Sequence, residues 1–487
     1  MIRVLRLLVL IAAGVLASSA PGSAQRLIFA TPSVAQTGFA ETFSAMASPR
    51  SLRGGDLDPT KWSTARLTPD GVSVPRPNHV RPATIPSGIR STFSGGTSVY
   101  PPDDTLIQDA AGARSARLMS AIVIQEYGHV GYMIRQPFDF ASRTGTITAD
   151  VDAWSQGILG TYITIDLTQD PVPATSFAID QNQEPGPRAK DGLFIQWSGG
   201  ADGTPNTIGA VLTYTNYTMT TVSPSFTVSG VDRPLVSPGK LNHIQIQVST
   251  THLVVYESDY STDDVTFPNQ RRIYEADISL AFSRGYVHIG ARNHSTTKFM
   301  YPETSVYYWD NVTFDGPRLP TPRAYEIADN TVISHNSSPP EGLPEYNFTR
   351  LAWEVSDGSG RTQGLWDAAD ASAHRDPFAI PSVNISGITA ATLTLNTFVN
   401  AVSHTATTSW GLLYRFNTGT WRTRLLTAAE VAMLNTDLGT AGYLALAIDV
   451  PTGDLTSGTN TLEFNTVAVP QDYAPTVFNI DLLVHAS

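Results

Sequence analysis

Two runs near the middle of the chain restrict its fold more than any other feature. In residues 285–293, Val287, Ile289 and Ala291 alternate with Tyr286, His288 and Arg292. In residues 306–315, Val306, Tyr308, Val312 and Phe314 alternate with Tyr307, Trp309, Asn311 and Thr313. Side chains on a strand change face at every residue, so one row builds a core while the other meets a ligand or solvent. Val287, Ile289 and Ala291 are the expected core row, and Tyr286, His288 and Arg292 the candidate face. Trp309 is expected in the core.

The same writing recurs on both sides of these runs. Residues 121–125, 131–136, 145–154, 161–168, 192–197, 210–215, 241–249 and 253–256 read as strands, rich in Val, Ile, Thr, Tyr and Phe and bounded by Gly, Pro, Asp or Asn. Ile244, Ile246 and Val248 oppose His243, Gln245 and Gln247, and Ile147, Ala149, Val151 and Ala153 oppose Thr148, Asp150, Asp152 and Trp154. Prolines crowd residues 70–102, which favours irregular connections and edge strands there. Many short strands with hardly any helical period predict packed antiparallel sheets, an all-β protein.

Composition bounds the setting. Residues 1–24 have a secretory layout: Arg3 and Arg6, an apolar run over 7–17, then Gly22-Ser23-Ala24 as a cleavage site. The run is short for a membrane span, so the expectation is a secreted protein, or one of the cell-envelope exterior or periplasm, with no membrane insertion after cleavage. The sequence has no cysteine, which excludes disulfides, thiolate metal sites and cysteine nucleophiles. The 463 residues after such a leader are ample for a core without them. With 31 Lys+Arg against 43 Asp+Glu and no lysine-rich patch, nucleic acid is not an expected partner. No Walker sequence, Gly-x-Ser-x-Gly elbow or His-Glu-x-x-His is present, so phosphoryl transfer, that kind of hydrolysis and zinc proteolysis lack support.

An opening of Glu41-Thr-Phe43, a polar loop and Leu57-Asp58-Pro59-x-x-Trp62 is paired with a closing Gly285-Tyr-Val-His-Ile-Gly … Tyr308-Trp-Asp-Asn-Val-Thr-Phe-Asp-Gly316. Together they resemble exported domains of the concanavalin A-like lectin/glucanase superfamily over residues 38–317. The resemblance implies a jelly roll in which the first strand lies near the last. Leu319-Pro-Thr-Pro322 reads as a linker. Strands are expected over 391–398, 410–416, 443–450, 460–464 and 477–484, which loosely resemble β-sandwich accessory domains of glycan-active proteins. The expected organisation is a leader (1–24), a lead-in (25–37), a concanavalin A-like sandwich (38–317), a linker (318–324) and a second antiparallel β-sandwich (325–487). One helix is expected, opened by the capping box Thr427-Ala-Ala-Glu430 and running over 428–434.

Three constellations are candidates for chemistry. Hydrolases in one branch of the superfamily carry Glu-x-Asp-x-x-Glu on one strand, with nucleophile and proton donor about 5 Å apart. Glu257-Ser-Asp259-Tyr-Ser-Thr262 and Glu275-Ala-Asp277-Ile-Ser-Leu280 keep two of the three carboxylates, so neither can run that mechanism as the family does, and solvated strand-end charges explain them better. His129, Tyr132, Arg135, His288, Arg292 and His294 form a second set if their strands are neighbours, with Arg neutralising a uronate and His or Tyr moving the proton of a polysaccharide lyase. The third set is a carbohydrate-binding face of Trp154, Tyr162, Trp197, Tyr286, His288, Tyr307, Trp309 and Arg292, where rings stack on sugar C–H faces. The candidate catalytic residues are therefore His288, Arg292, Glu257 and Asp259. No cofactor is required. The resemblance leaves room for a structural calcium ion on Asp150, Asp152, Asp166, Asp310 and Asn311. The leading expectation is a polysaccharide-binding protein using the concave face of its first domain; a glycoside hydrolase or polysaccharide lyase, and a structural or adhesive envelope protein, stand beside it.

Overall fold

A computed structural model describes residues 37–42, 55–56, 58, 60–63, 79–81, 117–121, 128–152, 161–172, 175–178, 189–198, 207–229, 232–236, 240–263, 265–293, 306–328, 332–333, 377–398, 411–435, 443–466 and 476–487. The expected leader, Trp154, His294 and most of the Pro-rich stretch lie outside the described residues. Among the described residues no helix is long and apolar enough to cross a membrane.

Two large sheets form a sandwich. Sheet 1 runs in the order Phe226–Thr227, Arg271–Asp277, His252–Glu257, Asn242–Val248, Gly145–Asp152, Val306–Asp315, Arg117–Ala121, His79–Arg81, Gly55–Asp56. Sheet 2 runs Thr218–Thr221, Thr207–Thr215, Gly192–Ser198, Thr161–Thr168, Arg284–Asn293, Gly128–Ile134, Thr175–Ala178, Val332–Ile333. Thr37–Glu41 pairs with Val306–Asp315, so the first strand lies against the last of this sandwich, as the resemblance implies. Pairing is antiparallel apart from the short parallel contact of Thr175–Ala178 with Val332–Ile333.

Cross-strand partners share a face, so the register fixes the core rows. On sheet 1, Ile147 pairs with Ile246 and Ala149 with Ile244. On sheet 2, Ile289 pairs with Ile165 and Tyr132, and Ile165 with Ile195. Phe39 of sheet 1 meets Trp62 of sheet 2 edge-on, with ring centroids 5.7 Å apart, and stacks on Phe314 at 5.3 Å. Val287, Ile289 and Trp309 are fully buried, as expected.

The alternation read in residues 306–315 is broken in the middle. Trp309, Val312 and Phe314 are all buried, although Val312 lies three positions beyond Trp309, a step that regular alternation would put on the opposite face. Asn311 takes a left-handed backbone (φ 46°) and the pairing with Gly145–Asp152 shifts between Asp310 and Thr313. A β-bulge inserts one residue and changes the phase of the strand, and Asn tolerates positive φ better than most residues. The two continuous rows drawn from the sequence are therefore corrected to rows that switch face at Asn311.

Two four-stranded sheets follow: Arg323–Ala328, Thr476–Ala486, Ile388–Phe398, Tyr443–Val450 (sheet 3), and Phe378–Val383, Gly458–Thr466, Gly411–Phe416, Arg422–Leu425 (sheet 4). Leu393, Leu395, Leu446 and Leu482 of sheet 3 share one buried cluster with Leu412, Phe416, Leu462 and Phe464 of sheet 4. The helix Ala428–Asn435 adds Val431, Met433 and Leu434 to it. Its capping box forms in both directions: Thr427 N donates to Glu430 Oε2 (2.7 Å) and Glu430 N to Thr427 Oγ1 (3.3 Å).

Candidate functional site

The outer face of sheet 2 collects the polar row predicted around His288. Register places Met133, His288, Asp166 and Phe194 side by side on four neighbouring strands. Gly290, Thr164 and Gln196 form the next row, and Tyr286 with Thr168 the row on the other side. Backbone register also puts His129, Arg292 and Tyr162 in one row of this face; their side chains lie outside the described ones. Tyr132 belongs to the opposite, core face, because it pairs with Ile289.

This face is buried. His288 and Asp166 are each 2% exposed, and Thr164, Thr168, Gln196 and Tyr286 are buried beside them. Thr168 Oγ1 donates to the Asp170 carbonyl (2.8 Å), which uses its only proton. The 2.8 Å contact between His288 Nε2 and Thr168 Oγ1 must then run from the imidazole to the hydroxyl. His288 thus carries its proton on Nε2 and keeps Nδ1 as an acceptor. Burial pushes its pKa down to about 3, so the ring is neutral and a weak base at ordinary pH. Burial also pushes the Asp166 carboxyl well above the usual carboxylate range and the Tyr286 hydroxyl up to about 12. The site is polar, with a neutral imidazole and a carboxyl whose charged form burial disfavours, and it offers both donors and acceptors.

The second sandwich approaches from this side. Asp481, Thr394 and Ala447 share one row of sheet 3, and Asn396 and Ala445 the next; all face away from the Leu393–Leu395–Leu446 cluster. Asp481 Oδ2 accepts from Arg135 Nη1 and from Ser63 Oγ, each at 3.0 Å. Arg135, itself fully buried, also reaches Glu326 Oε1 at 3.3 Å and the Trp62 carbonyl at 2.9 Å. Ala445 packs with Val172 and Ala189, and Val172 N points at Met133 Sδ (3.3 Å), the neighbour of His288 in its row. Farther along, Tyr217 Oη donates to Glu430 Oε1 at 3.1 Å.

Other candidates fall elsewhere. Trp197 pairs with Ile163 and Ile208 on the inner face of sheet 2 and is 1% exposed, so it is a core residue and not a stacking platform. Glu257 pairs with Ile244, in phase with Leu253 and Val255, and points into the core, where Arg233 Nη2 donates to it at 3.0 Å. Burial raises its pKa to about 7 against the opposing pull of Arg233 and Arg271. The expectation of a solvated strand-end charge is corrected: period two carries the carboxyl inward. Asp259 is held by Arg271 Nη2 at 2.6 Å and by Asn269 Nδ2 at 2.8 Å. Glu257 and Asp259 are not a carboxylate pair in a groove, and Glu257 is on the inner face of one sheet while His288 is on the outer face of the other. The expected calcium ligands are divided likewise. Asp150 accepts from His243 Nδ1 and Asn311 Nδ2, both at 2.6 Å, on sheet 1, while Asp166 is on sheet 2. Among the described residues no group of three or more His, Cys, Asp or Glu is placed to hold a metal ion.

The same alternation presents a further polar face, the outer side of sheet 1, which lies outside the three candidate constellations. In Asn242–Val248 and His252–Glu257 buried and half-exposed residues alternate strictly. His243, Gln245, Gln247, Tyr256 and Thr148 stand half-exposed there, with Thr148 and Thr313 hydroxyls 2.6 Å apart and Phe267 against His243 at 5.3 Å.

No family model and no curated protein matches the chain. Among solved structures it is similar to the carbohydrate-binding module CBM66 from Bacillus subtilis at 12% identity, covering 42% of this chain and 87% of that one with a TM-score of 0.24. A lectin from Bauhinia forficata in complex with GalNAc matches at 12% identity over 45% and 89% of the two chains (TM-score 0.25). A glycoside hydrolase family 16 endo-glucanase from Bacteroides ovatus matches at 11% over 57% and 99% (TM-score 0.27). At such scores these likenesses bear on neither residue roles nor ligand.

Proposed function

We propose that this is an exported carbohydrate-binding protein that engages a polysaccharide through the outer face of sheet 2. The observation that supports the reading is the convergence of His288, Asp166, Thr164, Thr168, Gln196 and Tyr286 from three adjacent strands onto a face the core does not use. A row of side-chain donors and acceptors matches sugar hydroxyls, which are themselves uncharged and bifunctional. The same chemistry disfavours catalysis as the first reading. His288 is too weak a base to abstract a proton near neutral pH, and the Glu257–Asp259 pair that a hydrolase would need is absent from the face. The test is binding to soluble neutral glucan, galactan, mannan and a uronate polymer by the wild type, His288→Ala, Gln196→Ala and Tyr256→Ala. Loss with the first two variants and retention with Tyr256→Ala is expected. Loss only with Tyr256→Ala would move the ligand to the open face of sheet 1, and no binding by any form would overturn the reading.

A further inference from the structure

The polar face of sheet 2 is closed by a surface that suits it poorly. A lasting interface is normally apolar at its centre, with its polar groups bonded. Here the sheet 3 side contributes Thr394 and Asn396, both fully buried. Among the described residues Thr394 Oγ1 and both amide atoms of Asn396 find no hydrogen-bond partner. Leaving such atoms buried and unbonded opposes closure. Among the described residues the apolar contact consists of the trio Val172, Ala189 and Ala445 beside this face and, farther along, Tyr217, which enters the apolar cluster of sheets 3 and 4. Directional bonds hold the contact at its margins: Asp481 to Arg135 and Ser63, and Glu430 to Tyr217. Residues 317–322, the first passage of the chain between the sandwiches, have no regular structure and contain Pro317, Pro320 and Pro322, and the chain returns once to sheet 2 through the two-residue strand Val332–Ile333.

We propose that the second sandwich is an autoinhibitory cover, docked over the His288 face and displaced when a polysaccharide binds there. The inference rests on the carbohydrate-binding reading of that face. It gives the buried polar row a reason: the row is complementary to a ligand, and sheet 3 occupies its place in the closed form. Affinity is then reduced by the fraction of molecules that are closed.

The sequence contains no cysteine, so a Val172→Cys, Ala445→Cys pair would form its only disulfide. Oxidised, this variant is expected to lose binding to the polysaccharide panel by about tenfold or more, and reduction is expected to restore it. An Ala445→Arg wedge is expected to do the reverse, tightening binding by about tenfold and speeding amide exchange in Thr161–Thr168 and Arg284–Asn293. The wedge decides the matter if the disulfide does not form, and the disulfide decides it if the wedge does not fold. Equal binding by locked, reduced and wedged proteins would overturn the cover and leave the carbohydrate reading standing. No binding by any form, with exchange showing that the wedge has opened the face, would instead remove the carbohydrate reading and the cover's role with it.

Discussion

Asn311 shows how one residue decides what a strand presents. Its positive φ and the register shift beside it let Trp309, Val312 and Phe314 all enter the core, and its amide ties the bulge to Asp150. Asn311→Ala removes that bond and places a Cβ-bearing residue without a local polar partner in the left-handed region, for a cost of about 1–2 kcal/mol by chemical denaturation. Asn311→Gly is expected to recover part of it, since glycine relieves the backbone and leaves only Asp150 short of a donor. Glu257 is the second case. Its folded pKa is raised from 4.5 to about 7, so its contribution to stability is complete below pH 4.5 and is lost as pH rises to about 7, roughly 3 kcal/mol in all. Glu257→Gln is expected to abolish that loss, because desolvation outweighs the attraction of Arg233. His288 acts in the opposite sense. Its pKa is lowered from 6.5 to about 3, so stability is whole above pH 6.5 and drains away as pH falls toward 3. Thermal melts of His288→Gln across this window are expected to have a flatter acid limb than those of the wild type.

At the scale of elements, much was legible and the reason is periodicity. Thr161–Thr168 and Tyr443–Val450 have the limits that alternation and flanking turn residues predict. The helix is legible for a different reason: Thr427 and Glu430 satisfy each other's backbone N–H, a local arrangement that four residues specify. Thr427→Ala is accordingly expected to cost about 1 kcal/mol and to speed amide exchange in Ala428–Asn435. What alternation cannot supply is the identity of the buried row when both rows are buried. Thr161–Thr168 has Ile163, Ile165 and Leu167 on one face and Thr164, Asp166 and Thr168 on the other, and all six are inaccessible. Trp197 was assignable to either face for that reason, and it falls with Ile163 only because of cross-strand pairing that the sequence does not carry. The candidate face around His288 was legible as a row of residue types. That a second sandwich stands over it was not.

At the scale of the molecule, the decisive contact joins residues 346 positions apart, Arg135 and Asp481. No local pattern announces such a pair; in the sequence Arg135 reads as a member of the candidate set with His129, Tyr132 and His288, not as the partner of a residue near the C-terminal end. In the fold it is buried, and its guanidinium keeps the Trp62 carbonyl and Glu326 as further partners when Asp481 is removed. Asp481 also takes the Ser63 hydroxyl, so it joins Glu326 and Ala445 among the residues by which sheet 3 holds the first sandwich. Removing one member of a buried ion pair commonly costs about 3–5 kcal/mol, and the remaining partners of Arg135 place the expected cost at the lower end, about 3 kcal/mol. That cost falls on the contact between sandwiches, because the apolar clusters of both are untouched. Asp481→Ala is therefore expected to split a single calorimetric transition into two, the core of sheets 3 and 4 and that of sheets 1 and 2 melting separately. Asp481→Asn, which keeps an acceptor for Ser63 and Arg135 at reduced strength, is expected to fall between the two behaviours. One unchanged transition in both variants would mean that the coupling resides instead in Arg135–Glu326, Tyr217–Glu430 and the Val172, Ala189, Ala445 contact, and the same measurement on Glu326→Ala, Tyr217→Phe and Ala445→Arg would then separate those sources.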